Sequence, residues 1–153
     1  MTMKQMNEFA GTLKDGVHIL RLRVYHEDTD YTGVVYHASY VRFAERGRSD
    51  FLRALGFDHT TLHGASPAAA LMVYRMEIDY LGAARISDIL EVETHVASLT
   101  KTRMEMAQSI RRGSDVLCRL KVVVITAIPG GRARRLPEAL VKALKGRVLS
   151  VES

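Results

Sequence analysis

The stretch 37–55 carries apolar residues at helical spacing, and four segments with an apolar period of 2 come after it. No other feature of the chain narrows its possible folds as much. Val41, Ala44, Phe51 and Leu55, with Tyr40, Phe43 and Gly47 beside them, trace one side of a helix, and Gly56 follows as a stop signal. The strand-like segments are Ala70–Tyr80, 88–99, 102–112 and 115–128, and a shorter one, 17–26, precedes the helix. Leu90, Val92, Thr94 and Val96 mark one face, as do Met104, Met106, Gln108 and Ile110, and then Val116, Cys118, Leu120, Val122 and Val124. The connections at 82–87, at Thr100 and at 112–114 are short, which makes antiparallel neighbours of the strands they join.

One long helix and about five strands bury both apolar faces most simply when a twisted antiparallel sheet curls around the helix, an α+β arrangement. Pro137 opens a short C-terminal helix with Leu140, Val141, Leu144 and Val148 on one side. The 153 residues form a single domain, 1–153, with 1–14 expected to fray. A single helix leaves sheet edges open, so the chain is expected to associate with copies of itself.

Charge and apolar runs restrict the setting. No apolar run approaches a membrane span, and the first residues lack the apolar core of a signal peptide, so a cytoplasmic protein without integral membrane association is expected. The lone Cys118 fits a reducing compartment. The net charge of +5 gathers at Lys101, Arg103, Arg111, Arg112, Arg132, Arg134 and Arg135. That surplus suits an anionic partner; a phosphorylated small molecule, a lipid surface and nucleic acid share it, and the absence of a base-reading motif counts against nucleic acid.

The first strand pattern breaks at Glu27-Asp28-Thr29-Asp30, and Tyr31-Thr32-Gly33 supplies turn chemistry before the helix. A carboxylate there lies near unpaired backbone N–H groups and the positive end of the helix dipole. Such a group either caps the helix or performs acyl chemistry. His26, Asp28, Asp30 and His37 match no familiar metal-site spacing, and no metal or other cofactor is expected. Glu45 and Arg48 read as an ion pair on the helix, and Cys118 as a core residue.

The run 24–51, VYHEDTDYTGVVYHASYVRFAERGRSDF, resembles the hotdog-fold acyl-CoA thioesterases of the 4-hydroxybenzoyl-CoA thioesterase type, and among them the small thioesterases encoded with the Tol-Pal system. Carrying the likeness are Glu27-Asp28-Thr29-Asp30, Gly33, Val34-Val35-Tyr36-His37, Tyr40 and Glu45-Arg46-Gly47-Arg48, with a looser match over 76–94. The resemblance implies a hotdog fold and hydrolysis of an acyl-CoA to a free acid and coenzyme A. It implies that Asp30 is catalytic, as nucleophile or general base, with His37 beside it. The helix start, Gly33, Val35, Tyr36 and His37, would supply the oxyanion hole. Met72, Val73 and Tyr74 would line the substrate slot, with Lys101 and Arg103 near the coenzyme A phosphates. The resemblance further implies a homo-oligomer, dimer or tetramer, with its site at a subunit interface. Tyr25-His26 departs from the two tyrosines common before this motif. Two other readings use the same residues: a non-catalytic module binding acyl-CoA or acyl-carrier protein, and a hotdog hydratase or dehydratase.

Overall fold

The computed structural model describes residues 10–58, 70–127 and 133–149. The segment 59–69 and the basic residue Arg132 lie outside the described residues. The elements are β1 (Thr12–Lys14), β2 (Val17–Arg23), a 3-10 turn (His26–Asp28), α1 (His37–Ala54), β3 (Ala70–Tyr80), β4 (Ile89–Leu99), β5 (Arg103–Arg112), β6 (Asp115–Ala127), β7 (Ala133–Arg134) and α2 (Glu138–Leu144). All strands belong to one sheet, ordered β1-β2-β4-β5-β6-β3, with the two-residue β7 also paired to β6. Every pairing in it is antiparallel.

Period-2 patterning decides which side of each strand faces α1. Leu20, Val92, Ile110, Cys118 and Tyr80 lie in register across the sheet, and Val96, Met106, Val122 and Met76 form a second such row. Phe43, Ala44, Gly47 and Phe51 present the helix's buried side to these rows, and all are buried. Gly47 is where the two layers come closest, since an added Cβ would stand 2.6 Å from Val92 Cγ1. Beside it Gln108 Nε2 donates to the Ala44 carbonyl and to Thr94 Oγ1, both at 2.9 Å, pinning the helix to the sheet by a buried polar link.

The α+β fold with a sheet curled on one long helix is as expected, with three differences. Seven strands replace about five: β1 forms a hairpin with β2 through Asp15 and Gly16, both at positive φ, so Thr12–Lys14 is ordered sheet rather than frayed chain. The short connection 82–87 does not join sheet neighbours, because β4 pairs with β2 and β5 while β3 pairs with β6 at the far edge. Crossing three strand spacings needs about 14 Å, well inside the reach of eight extended residues. The crossing chain is tied down by Leu81 and Gly82 amides donating to the Leu117 carbonyl, and by the Ala84 amide donating to Tyr40 Oη at 2.9 Å. Finally, Val148 is not helical; it bridges Val96 as the chain leaves α2, whose Leu140 and Leu144 are buried in the core.

Candidate active site

The acidic turn divides its carboxylates by burial. Asp28 is 5% exposed and its Oδ2 accepts from the Tyr25 amide at 2.8 Å, so it shapes the 3-10 turn from within. Asp30 faces outward, in a depression of ≈ 330 Å³ lined also by His26, Thr29, Tyr31, Gly33 and Ile86. Its Oδ1 accepts from the Thr32 hydroxyl at 2.6 Å and the Thr32 amide at 2.8 Å, while Oδ2 has no partner among the described residues. The Thr32 hydroxyl, and then its amide, hold the Asp30 carboxyl below the usual carboxylate range, so the group is ionised at neutral pH.

The turn is closed by sheet-like contacts. The Asp30 amide donates to the Val34 carbonyl, the Gly33 amide to the Asp30 carbonyl, and Gly33 takes φ 85°, a region open to glycine. Thr29 bridges Val35 and Val34 bridges Arg85, which fixes the loop against the crossing segment. Directly after it α1 begins, and no side chain caps it.

Four residues were expected to offer oxyanion donors, and the structure separates them. The amides of Gly33, Val35 and Tyr36 are already given to the carbonyls of Asp30, Ala84 and Asp28. The amides of His37 and Ala38 meet no acceptor among the described residues, which leaves them as donors at the positive end of the 18-residue helix. The His37 ring is exposed, 4.4 Å from the Tyr36 ring and edge-on to Tyr80 at 6.4 Å. It makes no hydrogen bond to Asp30. Tyr80, which sequence reasoning passed over as an ordinary strand residue, donates its hydroxyl to the His37 carbonyl at 3.0 Å and so braces the helix start.

The expected substrate residues fall in two places. Met72 and Val73, on β3, line a groove beside the C-terminal half of α1 and are half exposed. Tyr74 lies at the β3 bulge with the Arg103 guanidinium 5.6 Å over its ring, and Lys101 is exposed in the turn before β5. The expected Glu45–Arg48 pair does not form. Arg48 is instead buried, its Nη1 donating to Gln108 Oε1 at 3.0 Å, because helical spacing places it on the edge of the sheet-facing side. Among the described residues no three potential metal ligands come together.

Comparison with known proteins identifies the family. The family model described as Thioesterase superfamily matches residues 32–119, more than half of the chain. This chain belongs to the thioesterase superfamily. Its relatives include the acyl-CoA thioester hydrolase YbgC of Escherichia coli O157:H7, 36% identical over 126 residues, which cover 81% of this chain and 92% of that one. The acyl-CoA thioesterase YbgC of Haemophilus influenzae is 41% identical over 103 residues, covering 67% and 75%. Among solved thioesterase structures, a probable thioesterase from Bartonella henselae superposes with a TM-score of 0.76 at 40% identity, covering 79% of this chain and 99% of its own. A 4-hydroxybenzoyl CoA thioesterase shares the fold at a TM-score of 0.75 and 15% identity. The superfamily's hotdog fold is thus the fold of this chain.

Proposed function

We infer that this protein is an acyl-CoA thioesterase, hydrolysing the thioester to a free carboxylic acid and coenzyme A, with Asp30 as its reactive carboxylate. One observation carries the reading: an ionised carboxylate with a free oxygen stands on the same short loop that leads into an uncapped helix start. Thioester hydrolysis needs those two things, an activated oxygen and donors for the oxygen that becomes negative. Asp30 Oδ2 takes the proton of an attacking water, or attacks the carbonyl itself to give a mixed anhydride that water then opens. The amides of His37 and Ala38 receive the oxyanion. YbgC relatives named as acyl-CoA thioester hydrolases support the same reading. A non-catalytic module would leave the free carboxylate oxygen without work; a hydratase would use the same donors and base on an enoyl thioester, and relatives named as thioester hydrolases favour hydrolysis over it.

The coenzyme A end is served by Lys101 and Arg103 at the β4–β5 turn, exposed cations on a chain of net charge +5. The protein works as a homo-oligomer joined through β3, a tetramer being two such dimers. Supporting this, β3 is an 11-residue edge strand whose Met72, Val73 and Tyr74 are 51%, 45% and 63% exposed, an unpaired edge that a second copy covers. No helix among the described residues is long and apolar enough to cross a membrane. A coenzyme A ester as substrate and a free, buried Cys118 support a cytoplasmic setting.

Free-thiol release from a panel of short, long and aromatic acyl-CoAs tests the activity. Asp30→Asn is expected to lower kcat by about 10²- to 10⁴-fold while leaving the fold intact. Retention of most activity would remove Asp30 from this role. A single turnover in ¹⁸O-water that leaves the acid unlabelled and puts the label on Asp30 identifies attack by Asp30 with the anhydride opened at the Asp30 carbonyl, the outcome a general base cannot give.

A further inference from the structure

The groove beside the C-terminal half of α1 has a volume of ≈ 310 Å³, with apolar walls from Leu52, Phe57, Leu71, Met104, Met106 and Val124. Glu45, Arg53 and Asp58 also line it and are exposed at its mouth. Arg48 lines it too, but is only 9% exposed, the one charged lining residue that is buried. Among the described residues one of its five N–H donors is used, Nη1 to the neutral Gln108 Oε1. No carboxylate stands within salt-bridge distance of it among the described residues. Burial lowers the Arg48 pKa and outweighs the attraction of Glu45, which makes no ion-pair contact with it, and a planar fork with unused donors matches a carboxylate in bidentate fashion.

We propose that this groove receives the end of the acyl group farthest from the thioester and that Arg48 binds a carboxylate there, so that the preferred substrates are mono-coenzyme A thioesters of dicarboxylic acids. The proposal rests on the thioesterase reading and on a dimer through β3. Within one chain Arg48 stands 11 residues along α1 from His37, about 17 Å, which separates the N-terminal donors from it by too much for a short acyl group. Antiparallel pairing of two β3 strands about their middle sets the start of one opposite the end of the other. Tyr80, at the end of β3, holds the helix start, and Leu71 to Val73, at its beginning, hold the groove. The thioester thus sits at the helix start of one protomer while the distal carboxylate reaches Arg48 of its partner.

Matched pairs decide it: adipoyl-CoA against hexanoyl-CoA, and suberoyl-CoA against octanoyl-CoA, each read as kcat/KM. The purified protein is expected to favour the dicarboxylic member of at least one pair by about 10- to 100-fold, the range of a hydrogen-bonded charge. Arg48→Met should collapse that ratio, and Arg48→Lys should keep part of it. Preference for the plain acyl member in both pairs overturns the proposal, as does an equal ratio in Arg48→Met. Should Arg48→Met fail to fold, the wild-type ratio and Arg48→Lys decide alone. Calorimetric binding of the same pairs to Asp30→Asn separates the two readings. Turnover without discrimination sinks the Arg48 assignment alone, whereas absence of any turnover sinks the thioesterase reading, and binding then still judges Arg48.

Discussion

His18 shows how one side chain can couple stability to pH. It is fully buried under α1, its Nε2 2.8 Å from Asp50 Oδ2, its Nδ1 without a partner among the described residues, and its ring edge-on to Phe51 at 6.2 Å. The same Asp50 oxygen accepts the Gly11 amide at 2.7 Å, so the pair ties β2 and the chain before β1 to the helix. Burial lowers the His18 pKa below 6.5, outweighing the contrary pull of Asp50. His95 is shifted in the same direction by burial, against Glu93. A base with a depressed folded pKa takes its proton more readily when unfolded, so the stability it contributes is complete above 6.5 and is lost as pH falls toward the folded value. Thermal unfolding scanned from about pH 7.5 to about pH 5.5 should show Tm falling, and His18→Gln should flatten that fall. An unchanged slope in His18→Gln would locate the titration elsewhere. The period-2 pattern revealed His18 as a strand residue but not its partner, since Asp50 is 32 residues away and meets it only through helix packing. Asp28 and Asp30 stand in the same relation to the sequence. The acidic turn is legible, but which carboxylate turns inward depends on the Tyr25 amide and which stays free depends on Thr32.

At the scale of elements, α1 and the sheet approach through a glycine, and that contact sets a sign. Replacing Gly47 with alanine improves helix propensity by up to about 1 kcal/mol. Against this, the new Cβ would meet Val92 Cγ1 at 2.6 Å, Thr94 Oγ1 at 3.0 Å and Gln108 Nε2 at 3.1 Å, and overpacking a core typically costs about 1–3 kcal/mol. The clash wins, so Gly47→Ala should lose stability in urea unfolding, and Val92→Ala in the same chain should recover part of the loss by coupling. Cys118 belongs to the same layer. It is buried, and burial, helped by Asp79, pushes its thiol up to about 11, so a thiol reagent at mild pH should label it only after unfolding. The elements themselves were largely legible because each keeps one period: Ala70–Tyr80 was bounded correctly, and α1 to within a residue. The placement of β3 was not, since a short connection predicts neighbours only when its ends stay together. Here Tyr40 Oη and the Leu117 carbonyl draw the connection across the sheet's end, contacts that no local pattern encodes.

On the proposed reading, the whole molecule is half of a working unit. In one chain the Asp30 depression is shallow and open, and the apolar groove that could hold an acyl group lies at the opposite end of the helix. Joining two copies through β3 brings one chain's groove to the other's helix start, and it also covers the exposed Met72, Val73 and Tyr74 on an edge with unpaired backbone groups. Acidic substitutions on this edge therefore test assembly and catalysis together. Met72→Glu combined with Tyr74→Glu sets two carboxylates on an edge that the pairing would bury against apolar positions, and burying unpaired charge is destabilising. Light scattering should then show the double variant as a monomer of 17.1 kDa where the unaltered chain is larger. Far-ultraviolet circular dichroism should be retained, because both residues are exposed and neither contributes to the core under α1. Thiol release from acyl-CoA should fall in step with the loss of oligomer, and raising the protein concentration should restore part of both by mass action. A double variant that is monomeric yet fully active would show that one chain suffices, and it would separate the Asp30 chemistry from the β3 interface.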